Sequence, residues 1–146
     1  MEKTKQIGIQ YLGFRFKSFS FYELLGLQEN ETFDFQTSVD IKTGSDRVII
    51  GVMIQVHRKS DEQIYANAET ESLFLVEGLE SVKDESGSLM IPQGVLVTLV
   101  SLAISTSRGA LLVKGAGSFL ANIPMPIVDP KVFVSEMQSV KDTILG

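Results

Sequence analysis

The chain has 146 residues, a formal net charge of -5 and no cysteine. This length fits one domain whose core is large enough to fold without covalent cross-links, and we predict a single domain over residues 1–146. The lack of cysteine excludes disulfide frameworks and cysteine-based zinc sites. Lysine and arginine are not grouped as a phosphate backbone requires, so nucleic acid is not an expected partner.

The termini and the apolar stretches predict a cytoplasmic protein that does not insert into a membrane. Met1 to Gln6 has no apolar run behind its lysines, so a secretory signal is not expected. The longest nearly uncharged stretch, Met90 to Ser107, is interrupted by Pro92, Gly94 and several hydroxyl residues. A bilayer span needs about 20 predominantly apolar residues, so this stretch is better interpreted as a buried core segment.

The first half of the chain shows the period-two alternation that is typical of half-buried strands. Phe33 to Lys42 and Val48 to His57 both alternate in this way, and the short turn between them predicts a β-hairpin. Ile64 to Leu75 is a third run. The amino-terminal run changes parity at Gly13, which predicts a β-bulge. We expect a four-stranded antiparallel sheet that forms a meander after the first strand.

The second half predicts two helices, which makes the fold class α+β. A long run from about Leu96 to Lys114 lacks internal turn signals and is followed by Gly115, which favours a helix that ends there. Asp129 and Pro130 are typical of an N-cap and a first helical position. The apolar stripe of this closing helix is predicted to comprise Val132, Phe133, Met137, Val140 and Ile144.

Residues with catalytic or metal-binding chemistry are sparse. His57 is the only histidine, whereas a general base needs a nucleophile within reach and a metal site needs several ligands. Glu69 and Glu71 share a strand face and could hold a hard cation, but carboxylates at alternate strand positions more often mark a solvated face. We favour the solvated face. The sequence therefore predicts no enzyme, no catalytic residue, no metal and no cofactor.

Aromatic residues are concentrated in the first strand. Because they fall on both parities, we expect them on both faces of that strand. Either one face packs on the helices and the other is covered by a second subunit, or the aromatics form an apolar surface for extended hydrophobic peptides. The residues concerned are Phe14, Phe16, Phe19, Phe21 and Tyr22.

The C-terminal third resembles SecB-type export chaperones. The matching residues are Arg108 in a long apolar helix, then Gly117-Ser118-Phe119, then Pro126-Ile127, and then the helix that opens at Asp129-Pro130. The resemblance implies an antiparallel sheet with both helices packed on one face and a homo-oligomer assembled as a dimer of dimers. It also implies a holdase that binds unfolded or nascent polypeptide without ATP.

The resemblance also assigns roles to residues by position. The client-binding groove would lie between the sheet and the loop that joins the helices, with the aromatics of the first strand near the groove or the subunit edge. Arg108 would be a structural charge paired to an acid such as Glu77, because a buried arginine must be paired. The loop side of the groove would comprise Phe119, Leu120, Ile123 and Met125, and the structural residues would be Arg108, Gly117, Pro126, Asp129 and Pro130.

Two departures from the export family bear on the partner. The acids that dock the translocase motor SecA correspond loosely to Ser18, Tyr22 and Asn67, and the zinc-binding cysteine/histidine tail has no counterpart here. Both count against general export and leave the partnership with SecA open. The alternative function is an adaptor dedicated to one protein partner, as in SecB-like chaperones tied to toxin–antitoxin systems.

Overall fold

A computed structural model describes residues 8–21, 33–44, 46–59, 63–78, 91–116 and 128–137. The strands are β1 (Ile9–Phe21), β2 (Phe33–Thr43), β3 (Arg47–Arg58) and β4 (Ile64–Val76), and the helices are α1 (Gln93–Lys114) and α2 (Pro130–Met137). The strand order is β1-β4-β3-β2, and every neighbouring pair is antiparallel. The α+β class, the hairpin and the meander of β2, β3 and β4 are confirmed.

The core lies between α1 and one face of the sheet, which we call the helix face; the opposite face is called the open face. Alternation along β3 and β4 puts a continuous apolar layer on the helix face, and Phe74 is the largest side chain that is fully buried there. One stripe of α1 covers this layer. The buried apolar residues of that stripe are Leu96, Leu99, Val100, Ala103, Ile104 and Leu111.

A pair of buried hydroxyl groups connects α1 to the sheet within this apolar layer. Thr70 Oγ1 on β4 lies 2.7 Å from Ser107 Oγ on α1, and Ser107 Oγ donates to the carbonyl oxygen of Ala103 at 2.7 Å. Thr70 Oγ1 also lies 3.3 Å from the carbonyl oxygen of Val52. Each hydroxyl therefore has a partner, as burial requires, and the contact fixes where α1 lies along β4.

Both helix ends follow local sequence signals. The N–H of Gly115 donates to the carbonyl oxygen of Leu111 at 2.8 Å, so α1 ends where the glycine predicts; it begins at Gln93, three positions before Leu96. Asp129 caps α2, because its Oδ1 accepts the N–H of Lys131 at 3.0 Å. Both predicted helices are confirmed.

The predicted apolar stripe of α2 is wrong at its start. Val132 is 55% exposed, whereas Val134 is fully buried and belongs to the core. Successive helical residues are about 100° apart, so the face that contains Phe133 and Val134 turns Val132 to solvent. Val140 and Ile144 lie outside the described residues, as does the side chain of Met137.

Helix α1 is long and apolar enough to cross a membrane by length and composition alone. Its buried residues face the sheet, and its basic Lys114 lies in the last turn. A core helix of a folded domain passes the same test of length and composition, and the packing of α1 on the sheet favours that interpretation.

Candidate functional site

Two bulges in β1 determine where its aromatic side chains point. The pairing of β1 with β4 shifts between Tyr11 and Gly13 and again between Phe16 and Ser18. The first shift confirms the bulge predicted at Gly13. The second, at Lys17, has no glycine to indicate it, and it reverses the parity once more.

The expectation that aromatics occupy both faces of β1 is therefore wrong. Phe14 pairs across from Ser72, Phe16 from Thr70, and Phe19 from Ala68, all of which are helix-face residues of β4. Each bulge adds one residue to β1 without adding one to β4, so side chains at odd-numbered and even-numbered positions lie on the same face. We call this set the aromatic row; it comprises Tyr11, Phe14, Phe16, Phe19 and Phe21.

The four phenylalanine rings of the aromatic row touch in sequence, and the Tyr11 ring contacts Phe74. Centroid distances are 5.5 Å from Phe14 to Phe16, 5.7 Å from Phe16 to Phe19 and 5.5 Å from Phe19 to Phe21. Tilted and edge-to-face geometries at these distances are favourable for aromatic pairs. From Phe14 to Phe21 the row extends for about 20 Å at the rise of a strand.

The aromatic row is anchored on one side and accessible on the other. Phe16 and Phe19 are half-buried against the core, whereas Tyr11 and Phe21 are 38% and 37% exposed. Lys114, at the end of α1, places its Nζ 5.5 Å from the centroid of the Phe16 ring. Since β1 is an edge strand of the sheet, the row borders a surface that an extended peptide can approach. Aromatic side chains there supply apolar contacts of low specificity.

On the open face, the carboxylate of Glu71 is held between two cations. Arg15 donates from Nε to Oε1 at 2.7 Å and also from its terminal nitrogen, while Lys42 Nζ lies 4.0 Å from Oε2. Glu71 is only 9% exposed. The preference for a solvated face at Glu69 and Glu71 is thus wrong for Glu71, because Arg15, 56 positions earlier in the chain, covers it.

The other predicted site residues are divided between described and undescribed parts of the chain. Tyr22 lies outside the described residues, as do Phe119, Leu120, Ile123, Met125, Gly117 and Pro126. Arg108 is half-buried on α1 next to the buried Ser107. Asp129 and Pro130 open α2 as expected. The structure thus brings together the β1 part of the predicted site.

Metal-ligating side chains do not cluster in the described ranges. No group of three or more His, Asp or Glu residues among them could hold a metal ion. His57 is half-buried near the end of β3.

Comparison with known proteins gives a likeness of fold. No protein-family model matches the chain, and no curated protein matches it. Among solved structures, it is similar to the Mycobacterium tuberculosis SecB-like chaperone Rv1957, solved in complex with a ChAD peptide from the HigA1 antitoxin. The match covers 82% of this chain and 89% of that chain, with a TM-score of 0.54 and 12% sequence identity.

The chain has a SecB-like fold. The resemblance of the C-terminal third to SecB-type chaperones is confirmed at the level of the fold. The match covers most of both chains, so the likeness applies to the fold as a whole. In the described residues, the aromatic row forms a partly exposed apolar surface on the edge strand β1.

Proposed function

We propose that this protein is a SecB-like, ATP-independent holdase that binds unfolded or nascent polypeptide through the aromatic row. The observation that carries the proposal is the alignment of five aromatic side chains on one face of an edge strand by two bulges. A partly exposed apolar surface of this kind marks an interaction site more often than it marks a monomer surface.

The likeness to a solved structure supports a polypeptide as the partner. The Mycobacterium tuberculosis protein of the same fold was solved with a peptide bound. As parts of the same proposal, the chain is a single domain, acts in the cytoplasm as a homo-oligomer with a dimer of dimers as the expected form, and has no enzymatic activity. Delivery to SecA remains outside the proposal.

The aromatic row is tested by its effect on aggregation of a denatured client. Purified protein should suppress light scattering by thermally unfolding citrate synthase, with or without ATP. The double variant F19S/F21S should lose at least half of that suppression at equal concentration, because it removes two rings from the row. It should remain folded, since Phe21 is more than one-third exposed and Phe19 is only partly buried.

A matched control separates the row from exposed apolar area in general. Ile64 is 43% exposed and pairs across from His57 on the open face. I64S therefore removes a comparable apolar side chain from the other side of the sheet and should suppress aggregation like the natural protein. A well-folded oligomer without holdase activity would overturn the proposal, and equal losses in F19S/F21S and I64S would remove the assignment to the row.

The second candidate is an adaptor dedicated to one protein partner. It is favoured by the antitoxin peptide bound to the protein of the same fold. Capture of the tagged chain from its native host distinguishes the two functions: one partner in stoichiometric amount supports the adaptor, whereas a heterogeneous set of unfolded proteins supports the holdase. Light scattering of the purified protein gives the oligomeric state that both functions require.

A further inference from the structure

Strand β2 forms one edge of the sheet and lacks the bulges and prolines that usually keep a second strand from pairing with an edge. Its 11 residues pair one to one with β3, with no register shift. The other edge, β1, is interrupted by two bulges. Within the described ranges, β3 is the only strand that pairs with β2. A long, regular edge of this kind offers main-chain N–H and C=O groups to another strand.

The sequence of β2 is complementary to itself in the antiparallel direction. When two copies of β2 lie side by side with full overlap, Ser38 lies on the two-fold axis and Asp34 lies opposite the partner's Lys42. Symmetry forms this ion pair twice. On the helix face, the same alignment places Phe35 opposite the partner's Ile41. Opposite charges and aromatic–aliphatic pairs both stabilise neighbouring strands, and a self-complementary patch is what a two-fold interface requires.

The charges of β2 also select full overlap over the neighbouring registers. Side chains keep to their own face only when the partner moves by two residues at a time. A shift of two residues in one direction places Asp34 opposite the partner's Asp40, which brings like charges together twice. The same shift in the other direction leaves Asp34 without an opposite residue in β2. Of these three registers, only full overlap pairs opposite charges.

Both charged side chains are accessible for a contact across the edge. Asp34 is 60% exposed and Lys42 is 36% exposed. Within one copy, Asp34 Oδ1 lies 3.5 Å from Lys59 Nζ, and Lys42 Nζ lies 4.0 Å from Glu71 Oε2. A carboxylate accepts with both oxygens and an ammonium group has three N–H donors, so these contacts can persist. Across the joined edges the signs then alternate from Lys59 to Asp34, to the partner's Lys42 and to the partner's Glu71.

We propose that β2 pairs in the antiparallel direction with β2 of a second copy of this chain, with Ser38 on the two-fold axis. Two four-stranded sheets then form one sheet of eight strands. This contact rests on the proposed homo-oligomer and names its surface, and it does not require holdase activity. Because the strand order leaves β1 at both ends of the joined sheet, the aromatic row stays accessible.

The chain contains no cysteine, so a single introduced cysteine reports the register. Directly opposite residues of antiparallel strands have Cα atoms about 4.5–5.5 Å apart, which a disulfide can span. Under mild oxidation, S38C should therefore form a disulfide-linked dimer on non-reducing gels at least about tenfold faster than Q36C. The two copies of position 36 would lie four residues apart, about 13 Å along the strands.

Gln36 is a matched control, because it is exposed on the same face of the same strand as Ser38. Equal rates for S38C and Q36C, or no dimer from S38C, would overturn the contact. An edge covered by another segment of this chain, or by a client, would give that result.

Charge variants in the S38C protein test the pairing between copies. D34K and K42D each place like charges opposite one another twice and should slow cross-linking by about tenfold. A mixture of the two restores opposite charges in every mixed pair and should recover the rate to within about threefold. Failure of the mixture to recover, with both variants folded by circular dichroism, would overturn the register. The comparison of S38C with Q36C needs neither charge variant.

Light scattering and the citrate synthase assay separate this contact from the proposed function. An oligomer that suppresses aggregation but gives no S38C dimer would overturn the β2 contact alone. A protein that forms the S38C dimer but has no holdase activity would overturn the holdase alone.

Discussion

The hydroxyl pair between Thr70 and Ser107 allows a quantitative test of how α1 is held on the sheet. Both side chains are buried, and their oxygens lie 2.7 Å apart. Ser107 has a single hydrogen, which the carbonyl oxygen of Ala103 accepts, so the arrangement that satisfies both groups has Thr70 donating to Ser107. A buried neutral hydrogen bond of this kind contributes about 1 kcal/mol to the free energy of unfolding.

Each single variant should lose that hydrogen bond without leaving a buried hydroxyl group that has no hydrogen-bond partner. In T70V, Ser107 keeps Ala103 as its acceptor; in S107A, Thr70 can turn its hydrogen to the carbonyl oxygen of Val52, which lies 3.3 Å away. Each should therefore cost about 1 kcal/mol rather than the larger penalty of an unsatisfied group. For a chain of this length that corresponds to a fall of roughly 2–4 °C in Tm.

The double variant T70V/S107A tests whether Thr70 and Ser107 share one hydrogen bond. Since the shared bond can be lost only once, its cost should fall short of the sum of the single variants by about 1 kcal/mol. Urea unfolding followed by circular dichroism measures all three, and T98V serves as a control, because Thr98 makes a similar bond to the carbonyl oxygen of Gly94 on the exposed side of α1. Additivity to within about 0.3 kcal/mol would refute the direct bond.

Two further variants examine the open face and α2. R15A should lower the free energy of unfolding by about 1–3 kcal/mol, because it leaves the buried carboxylate of Glu71 with only Lys42 at 4.0 Å. E71Q should lower it by less, since Arg15 and Lys42 are both exposed enough to be hydrated. A larger loss in E71Q than in R15A, measured by urea unfolding, would contradict this account. D129A should cost about 1 kcal/mol by removing the cap on the N–H of Lys131. D129N retains an acceptor oxygen and should unfold close to the natural protein, so equal losses in D129A and D129N would exclude the cap as the cause.

Local patterns were sufficient for most of the fold. Alternation in the β2, β3 and β4 regions gave the correct strands because each strand lies with one side on a core. The inner face of β4 was wrong only at Ile64, because a register shift places that residue opposite His57 on the open face. Gly115 and Asp129 marked helix ends correctly because capping is decided by the backbone groups of adjacent residues. The start of α1 was placed late, since Gln93 and Gly94 carry no apolar signal although Pro92 precedes them.

The site was harder to predict, because it depends on contacts between distant parts of the chain. Lys17 gives no local indication of a bulge, and its effect is visible only in the pairing of β1 with β4. The burial of Glu71 likewise depends on Arg15, which no periodicity connects to it.

The bulges of β1 decide which deletions this strand can accommodate. Each bulge adds one residue to β1 without adding one to β4, so removing Leu12 or Lys17 would restore one-to-one pairing and leave the rings on both sides of the cut on the helix face. Removing Arg15, between the bulges, would instead shift the register by one residue and turn the rings on one side of the cut to the open face. In β1, therefore, the position of a deletion relative to the bulges determines whether the aromatic row stays on one side.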